Sequence, residues 1–600
     1  MQYDIILVGT GPSSSGILHA LIQNSRTQSR PNTKTNPKIH IAVLAEESSP
    51  ISSTSSPSST TPDVNSNPFE FGNKLITAFR SPSSLPASLR VLHSTVTSGP
   101  LRGRSIEFPQ GKTVGGSTNV NAMLFTPPGP SQFPLELGAK VDTATPWGQF
   151  VTENNVEASA ASITSFLVKS RALTLNLPDH DYLSQLRKKT AAPEPPSDST
   201  YSEFYTSVSS TIHSRMNSFD SLVLPLLLEM RNNPDNFTTH IYLIYDSKAE
   251  KVVFDSDLVA TGVALSSGKT ISTNKNGEII LCAGAIFSPL LLMRSGIGNF
   301  GKLRTLGLPT MVESDFVGAQ VLDHLIVPRL FWTNKRTNNY TKYKRSSVGV
   351  KGWWSMNGDT AQAMIFEGGS VYQLIHHAFN FLKVTLCPIT AQEWDRFFDD
   401  DQNKILRGLY CFMLKLTDAA FYLAFSLLVG LVLVFKLFVT KRMEEFVSGH
   451  IVTLNVNVVT TTSKGSVSWK DEKLDEVELN VNYLDSESDK LTFMKAWSKS
   501  EELRKSYYDD CWELLWPASR LLGADALSYA GQFGTTYFHL HGSNRMGNVV
   551  DSECKVKGVA GGLRVCDASV FGRGISAPIV LSCMAVGHSL GERISKELKL

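Results

Sequence analysis

The sequence predicts an α/β chain: a Rossmann-type domain joined to an α+β domain with an antiparallel sheet. Three observations at the N-terminus carry the first half of that expectation. Tyr3–Val8 is a short apolar run ending at glycine and reads as a buried strand. Gly9-Thr10-Gly11-Pro12-Ser13-Ser14-Ser15-Gly16 then turns into an apolar-periodic stretch, Ile17–Ile22, that reads as a helix. A second apolar strand, Ile39–Leu44, comes after the polar stretch Asn24–Lys38.

A strand, a glycine turn and a helix in this order suit a dinucleotide. Gly9 permits the tight turn, and Gly11 lets backbone approach a pyrophosphate on the positive end of the helix. The third position of the Gly-x-Gly-x-x-Gly pattern is Ser14, small enough for helix–strand packing. The alternative is an ordinary tight turn between strand and helix. A carboxylate at the end of the second strand can accept from ribose hydroxyls. Glu46 is the first choice there and Glu47 the second; two solvated glutamates are the alternative.

At 600 residues the chain is too long for one simple core, so two or more domains are expected. With 42% apolar and 19% charged residues it is a folded protein. A net charge of +2 and no dense basic stripe exclude nucleic acid as a partner. The seven cysteines are scattered and never form a Cys-x-x-Cys pair, which argues against a zinc site and a disulfide framework. The first strand begins at residue 3, so no signal peptide and an intracellular location are expected. The Asn-x-Thr sequences at Asn236 and Asn339 then count as chance matches.

Further along, Ser48–Asn67 and Ala192–Ser199 are rich in Ser, Thr and Pro and read as loops. Strands are expected at His240–Tyr245, Val252–Asp255, Glu278–Cys282, Ile451–Val459 and Glu476–Tyr483, and helices within Val151–Leu175 and Leu491–Leu522. Ala419–Phe435 carries no charge over seventeen residues. As a helix it spans roughly 25 Å, against a bilayer core of about 30 Å. Leu409–Leu416 precedes it across Thr417-Asp418, and Lys436, Lys441 and Arg442 come after it. A short span, a hairpin dipping into one leaflet and a buried core helix are all open.

Three more stretches carry a resemblance. They are Pro109–Met123 (Pro-Gln-Gly-Lys-Thr-Val-Gly-Gly-Ser-Thr-Asn-Val-Asn-Ala-Met), Gly284–Gly298 (Gly-Ala-Ile-Phe-Ser-Pro-Leu-Leu-Leu-Met-Arg-Ser-Gly-Ile-Gly) and Val317–His324 (Val-Gly-Ala-Gln-Val-Leu-Asp-His). In this order after a glycine turn, they resemble the glucose-methanol-choline (GMC) flavoenzyme family, which implies FAD. The resemblance is dense in the nucleotide-binding parts and thin across 150–235 and 325–530. Gly115 and Gly116 can bring backbone N–H groups against a flavin, where a side chain would clash. Ser117 and Asn121 can hydrogen-bond it from the same loop. Ser288-Pro289 is expected to start a helix, with Pro at its tolerated first position, and Gly296 and Gly298 to close it.

The resemblance also implies the active site. In His539-Leu540-His541-Gly542-Ser543-Asn544-Arg545-Met546-Gly547, the family's histidine stands three residues before the glycine, which is His539. Histidine suits the removal of a hydroxyl proton near neutral pH. His541 is the alternative base, and His324 and His588 read as structural. Gly562–Ser569 resembles the strand that returns to the flavin, bringing Asp567 and Ala568 to the cofactor. The family's second active-site residue, His or Asn, falls at Ser576, which would orient the substrate oxygen.

The activity implied by this resemblance is FAD-dependent oxidation of a small or lipid alcohol, with oxygen or another electron acceptor as the second substrate. A lyase or light-driven decarboxylase on the same fold, and a non-catalytic lipid-binding flavoprotein, stay open at this point. The FAD-binding domain is expected in three parts, 1–150, 236–325 and 531–600. The substrate domain takes 151–235 and 326–530, with an apolar insertion at 405–440. Because the parts before and after 405–440 must build one domain, that insertion is expected to attach the protein to a membrane surface without crossing it.

Overall fold

The computed structural model describes residues 1–26, 38–46, 89–121, 124–125, 144–176, 200–201, 204–206, 216–333, 350–356, 361–367, 450–507, 511–514, 525–572, 575 and 577–600. The loops expected at Ser48–Asn67 and Ala192–Ser199, the insertion 405–440, Glu47, Asn339 and Ser576 lie outside the described residues.

The N-terminal strand forms at Gln2–Val8 and the second at Ile39–Leu44. Ile5–Val8 and Ile41–Leu44 within them are buried on both faces, which is why they read as unbroken apolar runs. They sit in a parallel sheet ordered Leu563–Val565, Thr270–Leu281, Gln2–Val8, Ile39–Leu44 and Thr239–Ile244. The first part of Thr270–Leu281 pairs antiparallel with Ala260–Leu265, which pairs with Ala249–Phe254. The chain thus builds one sheet from its N-terminus, its middle and its C-terminal segment. The carboxyl ends of these parallel strands gather Gly9, Glu46, Gly284 and Asp567 along one edge, where ligands bind in open α/β sheets.

Behind the sheet, the helix Pro12–Asn24 crosses the C-terminal helix Val580–Glu597. The crossing is close because it is made of glycine. A Cβ on Gly16 would stand 2.2 Å from the Met584 carbonyl oxygen, and one on Gly587 would stand 2.1 Å from that of Ser13. The packing role expected of Ser14 therefore falls to Gly16, against a helix rather than a strand.

A second sheet is wholly antiparallel. It runs Trp512–Glu513, Leu325–Trp332, Ile451–Val458, Ala361–Glu367, Val350–Met356 and Thr200–Tyr201, with Thr535–Thr536 also on Leu325–Trp332. The helix Glu487–Tyr507 covers one face of it. A third sheet joins Ala319–Val321, Gly465–Trp469, Val477–Asn480, Leu89–Thr95 and Ser105–Gly111.

Three expected helices come out differently. Val151–Leu175 is two helices, Pro146–Glu153 and Val156–Lys169. They break where Asn155 turns left-handed (φ 47°) and its side chain accepts from the Ala158 N–H, capping the second helix. Residues 174–176 are a strand. Beyond Tyr507, Trp512–Glu513 is an edge strand within the expected Leu491–Leu522 helix, and it carries Glu513 to the fully buried Arg329 at 2.7 Å. The helix expected to begin at Ser288-Pro289 begins at Gly284 and runs to Arg294, with Pro289 inside it. A proline there cannot bond the carbonyl four residues back. That carbonyl, Ala285, accepts instead from the Ser543 hydroxyl at 2.5 Å.

Candidate active site

The Ala285–Ser543 bond fastens the histidine segment to the sheet edge. Backbone bonds fasten its other side: the N–H groups of Gly542, Asn544 and Met546 donate to the carbonyls of Ala568, Ser569 and Val570 at 2.8–3.0 Å. Asp567 anchors that partner segment. Its carboxylate accepts from the Gly284 N–H (2.8 Å), the Ser288 hydroxyl (2.5 Å) and the Ser569 N–H (2.8 Å). Burial raises its pKa from the ordinary carboxylate value, against those hydrogen bonds. Asp567 and Ala568 thus stand at the sheet edge with the Asp567 carboxylate engaged by the protein itself.

Asp323 and His324, at the entry to Leu325–Trp332, meet the histidine segment from the antiparallel sheet. The Asp323 carboxylate accepts from the His539 backbone N–H (2.8 Å), the Thr536 hydroxyl (2.6 Å) and the Tyr483 hydroxyl. Burial pushes its pKa up to about 6 even so. His324 Nδ1 lies 2.9 Å from His539 Nδ1, with the rings edge to face at 87°. His541 Nδ1 lies 2.7 Å from the His539 carbonyl oxygen, so that nitrogen carries the proton and donates.

The three imidazoles differ in access. His539 is 9% exposed, whereas His324 and His541 are each 0% exposed. Burial lowers the pKa of all three: His539 to about 3, His541 to about 4, and His324 well below its ordinary value. Neutral His539 therefore has one lone pair. Where Nδ1 donates to His324, that pair is on Nε2 and is free to accept a proton.

On the nucleotide side, the helix Pro12–Asn24 starts without a side-chain cap at Gly11, leaving N-terminal N–H groups for an anion. The Ser14 hydroxyl is buried there with no hydrogen-bond partner among the described residues. A Cβ at Gly11 would meet nothing within 4 Å, so the space in front of the turn is open. Gly9 (φ 111°) serves the sheet, since a Cβ there would stand 2.5 Å from the Cys282 carbonyl oxygen. The Gly115–Gly116 turn is left-handed at both residues, and a Cβ on Gly116 would stand 3.1 Å from Gly11 Cα. An uncapped helix start, an orphaned hydroxyl and two glycine turns facing each other fit a pyrophosphate-linked cofactor.

The remaining expected contacts are scattered. Glu46 is at the end of its strand but is ion-paired with Arg90, with Lys112 at 4.0 Å. Ser117 Oγ is 3.4 Å from the Gly111 N–H, within its own loop. Asn121 is half-buried at that loop's end. Asn119 organises the loop, donating to the Val114 and Gly116 carbonyls and accepting from Asn217 at 3.0 Å. Sequence reasoning brought in Asp323 only by resemblance, beside His324 in the third motif, and gave no role to Asn119 or Asn217; Asn119 lies within the first motif, and for Asn217 there was no signal.

The Gly284 helix and the histidine segment both fall in stretches that match a known family. Models described as GMC oxidoreductase match residues 234–326 and 461–587. Dehydrogenase pyvF of Aspergillus violaceofuscus is 36% identical over 105 residues, 17% of this chain and 17% of that protein. A GMC-type oxidoreductase of Mycobacterium tuberculosis is 29% identical over 239 residues, 38% of this chain and 43% of that protein. The chain thus spans less than half the length of these curated relatives. Pyridoxine 4-oxidase from Mesorbium loti shares the fold, with a TM-score of 0.63 at 16% identity over 99% of both chains. Residues 234–326 and 461–587 thus belong to the glucose-methanol-choline (GMC) oxidoreductase family, whose cofactor is FAD.

Proposed function

We propose that this protein oxidises an alcohol to a carbonyl, with His539 as the base that takes the hydroxyl proton. The observation that carries the reading is that His539, though buried, is the one of the three packed histidines that keeps any accessible surface, with its Nδ1 on His324 and its backbone on Asp323. Bound FAD supplies the hydride acceptor. Gly11, Ser14 and the Gly115–Asn121 loop would hold its pyrophosphate and ring system, with Gly9 shaping the turn, and Glu46 would reach the ribose by sharing its carboxylate with Arg90. The Gly542–Met546 backbone holds the histidine segment against Ala568.

His324 is the positioning group. Accepting from His539 Nδ1–H, it fixes the tautomer that leaves Nε2 basic. Burial keeps the imidazole neutral, so the lone pair is available well below pH 6.5. The proton leaves the hydroxyl for Nε2 as hydride leaves the carbinol carbon. Ser576 donates to the substrate oxygen. Oxygen or another acceptor reoxidises the enzyme. Residues 1–150, 236–325 and 531–600 form the FAD-binding domain in this reading, and 151–235 with 326–530 form the substrate domain. The uncharged stretch 419–435 and its basic flank support attachment to a membrane surface.

The test is anaerobic mixing of FAD-loaded protein with alcohols from sugars to long-chain lipids. Bleaching of the flavin in the dark by at least one of them is the expected result. An oxidised spectrum with every alcohol would overturn the reading.

A further inference from the structure

One polar side chain on the antiparallel sheet has no bond to accompany its burial. Asn457 is 0% exposed, and neither its Oδ1 nor its Nδ2 has a partner among the described residues. Leaving a whole carboxamide open in the interior is costly. Both polar atoms of Asn457 are therefore available to a partner.

Register fixes which way Asn457 faces. It stands opposite Ile326 on one side and Gln362 on the other. Side chains alternate along a strand, so Gln362 and Met364 share that face. Arg329, Leu454, Val456 and Ala363 are on the other face, where Arg329 donates to Ser500 of the covering helix at 2.8 Å. On the Asn457 face, the Tyr537 hydroxyl donates to the Met364 sulfur at 3.2 Å, and the Tyr537 ring lies 4.3 Å from that of His539. Asn457 and Met364 are diagonal neighbours on adjacent strands, a separation of about 7–8 Å. The open amide therefore faces the side of the sheet that carries the histidines.

We propose that Asn457 is a specificity-determining residue, selecting alcohols that carry a second hydroxyl on the part of the molecule facing the sheet. This rests on the reading of His539 as the base of an alcohol-oxidising site. A hydroxyl both donates and accepts, so one such group uses Oδ1 and Nδ2 together. A methyl in the same place leaves the amide unpaired, and a site built to bond a hydroxyl discriminates against the analogue that lacks it.

Matched pairs test this: hydroxybenzyl alcohol against methylbenzyl alcohol, and butanediol against butanol, titrated anaerobically into the full FAD-loaded chain. Binding is read from the perturbation of flavin absorbance, and turnover from bleaching and from kcat and KM. The wild type is expected to favour the hydroxyl-bearing member by about tenfold in Kd. Asn457→Leu should bind FAD, lose that preference, and hold the methyl-bearing member as before. Asn457→Val gives the same reading where the leucine does not fold. Equal affinity for both members in the wild type, or an unchanged preference in the variants, would overturn the proposal. A preference in binding with no bleaching would sink alcohol oxidation and leave Asn457 standing; bleaching with no preference would do the reverse.

Discussion

At the residue scale, the three histidines separate into a base and its supports. His539→Ala is expected to cost roughly 10²–10⁴-fold in kcat while FAD stays bound. His541→Ala should cost less, since the His541 ring is fully buried and donates to the His539 carbonyl instead of facing the accessible side. The reverse ranking in stopped-flow bleaching would move the base to His541. The acid side of the pH profile makes a second prediction. A base must be unprotonated, and burial lowers His539 to about 3. So kcat/KM should not fall through pH 6.5, where an ordinary imidazole titrates. Asp323, raised to about 6, is the other group in that window, and Asp323→Asn removes it from the profile. An acid limb with its midpoint near 6.5 in Asp323→Asn would contradict a buried neutral base.

At the element scale, the helix crossing behind the sheet depends on atoms that are missing. Gly16→Ala puts a methyl 2.2 Å from the Met584 carbonyl oxygen and close to the His588 N–H, both backbone. Neither helix can yield locally, so a loss of about 1–3 kcal/mol is expected, read as a lower thermal midpoint. An unchanged midpoint would mean the helices cross further apart. The Ala419–Phe435 segment is argued from sequence alone. Replacing 409–438 with a short polar loop should release the protein from membranes into the soluble fraction. Wild-type protein found wholly in that fraction without detergent would refute attachment.

At the scale of the whole molecule, one cofactor would join segments far apart in the chain. The glycine turn at residue 11 and Asp567 come together because Gln2–Val8, Thr270–Leu281 and Leu563–Val565 are neighbours in one sheet, and the Gly115 loop joins that turn through the Gly115 N–H, which donates to the Thr10 carbonyl at 3.1 Å. Gly11→Trp tests that convergence. A side chain there meets no protein atom at its Cβ, so the apoprotein should fold, but the ring fills the cradle. Colourless, folded protein is the expected product. It should also melt lower than the wild type with FAD, because a ligand at 100 times its Kd adds about 2.7 kcal/mol. Retained flavin absorbance would sink the placement of the pyrophosphate.

Local sequence determined the strands that are buried on both faces. Ile5–Val8 and Ile41–Leu44 are apolar because helices and sheet leave them no wet side, and that pattern is visible without a fold. The glycine turns were legible for a related reason, since backbone geometry that excludes a Cβ leaves its mark residue by residue. Helix boundaries were less so. Pro289 reads as a helix start because its sequence neighbours offer nothing for the Ala285 carbonyl, and the partner, Ser543, lies 258 positions away. Trp512–Glu513 reads as helix until the buried Arg329 on a distant strand claims Glu513. The candidate site divides in the same way. A motif marks His539, but the pairing with His324 across 215 positions, the Asp323 carboxylate beneath its N–H, and the difference in exposure among three imidazoles exist only once two sheets meet. Those are contacts between segments with no periodicity in common, so tertiary structure alone decided them.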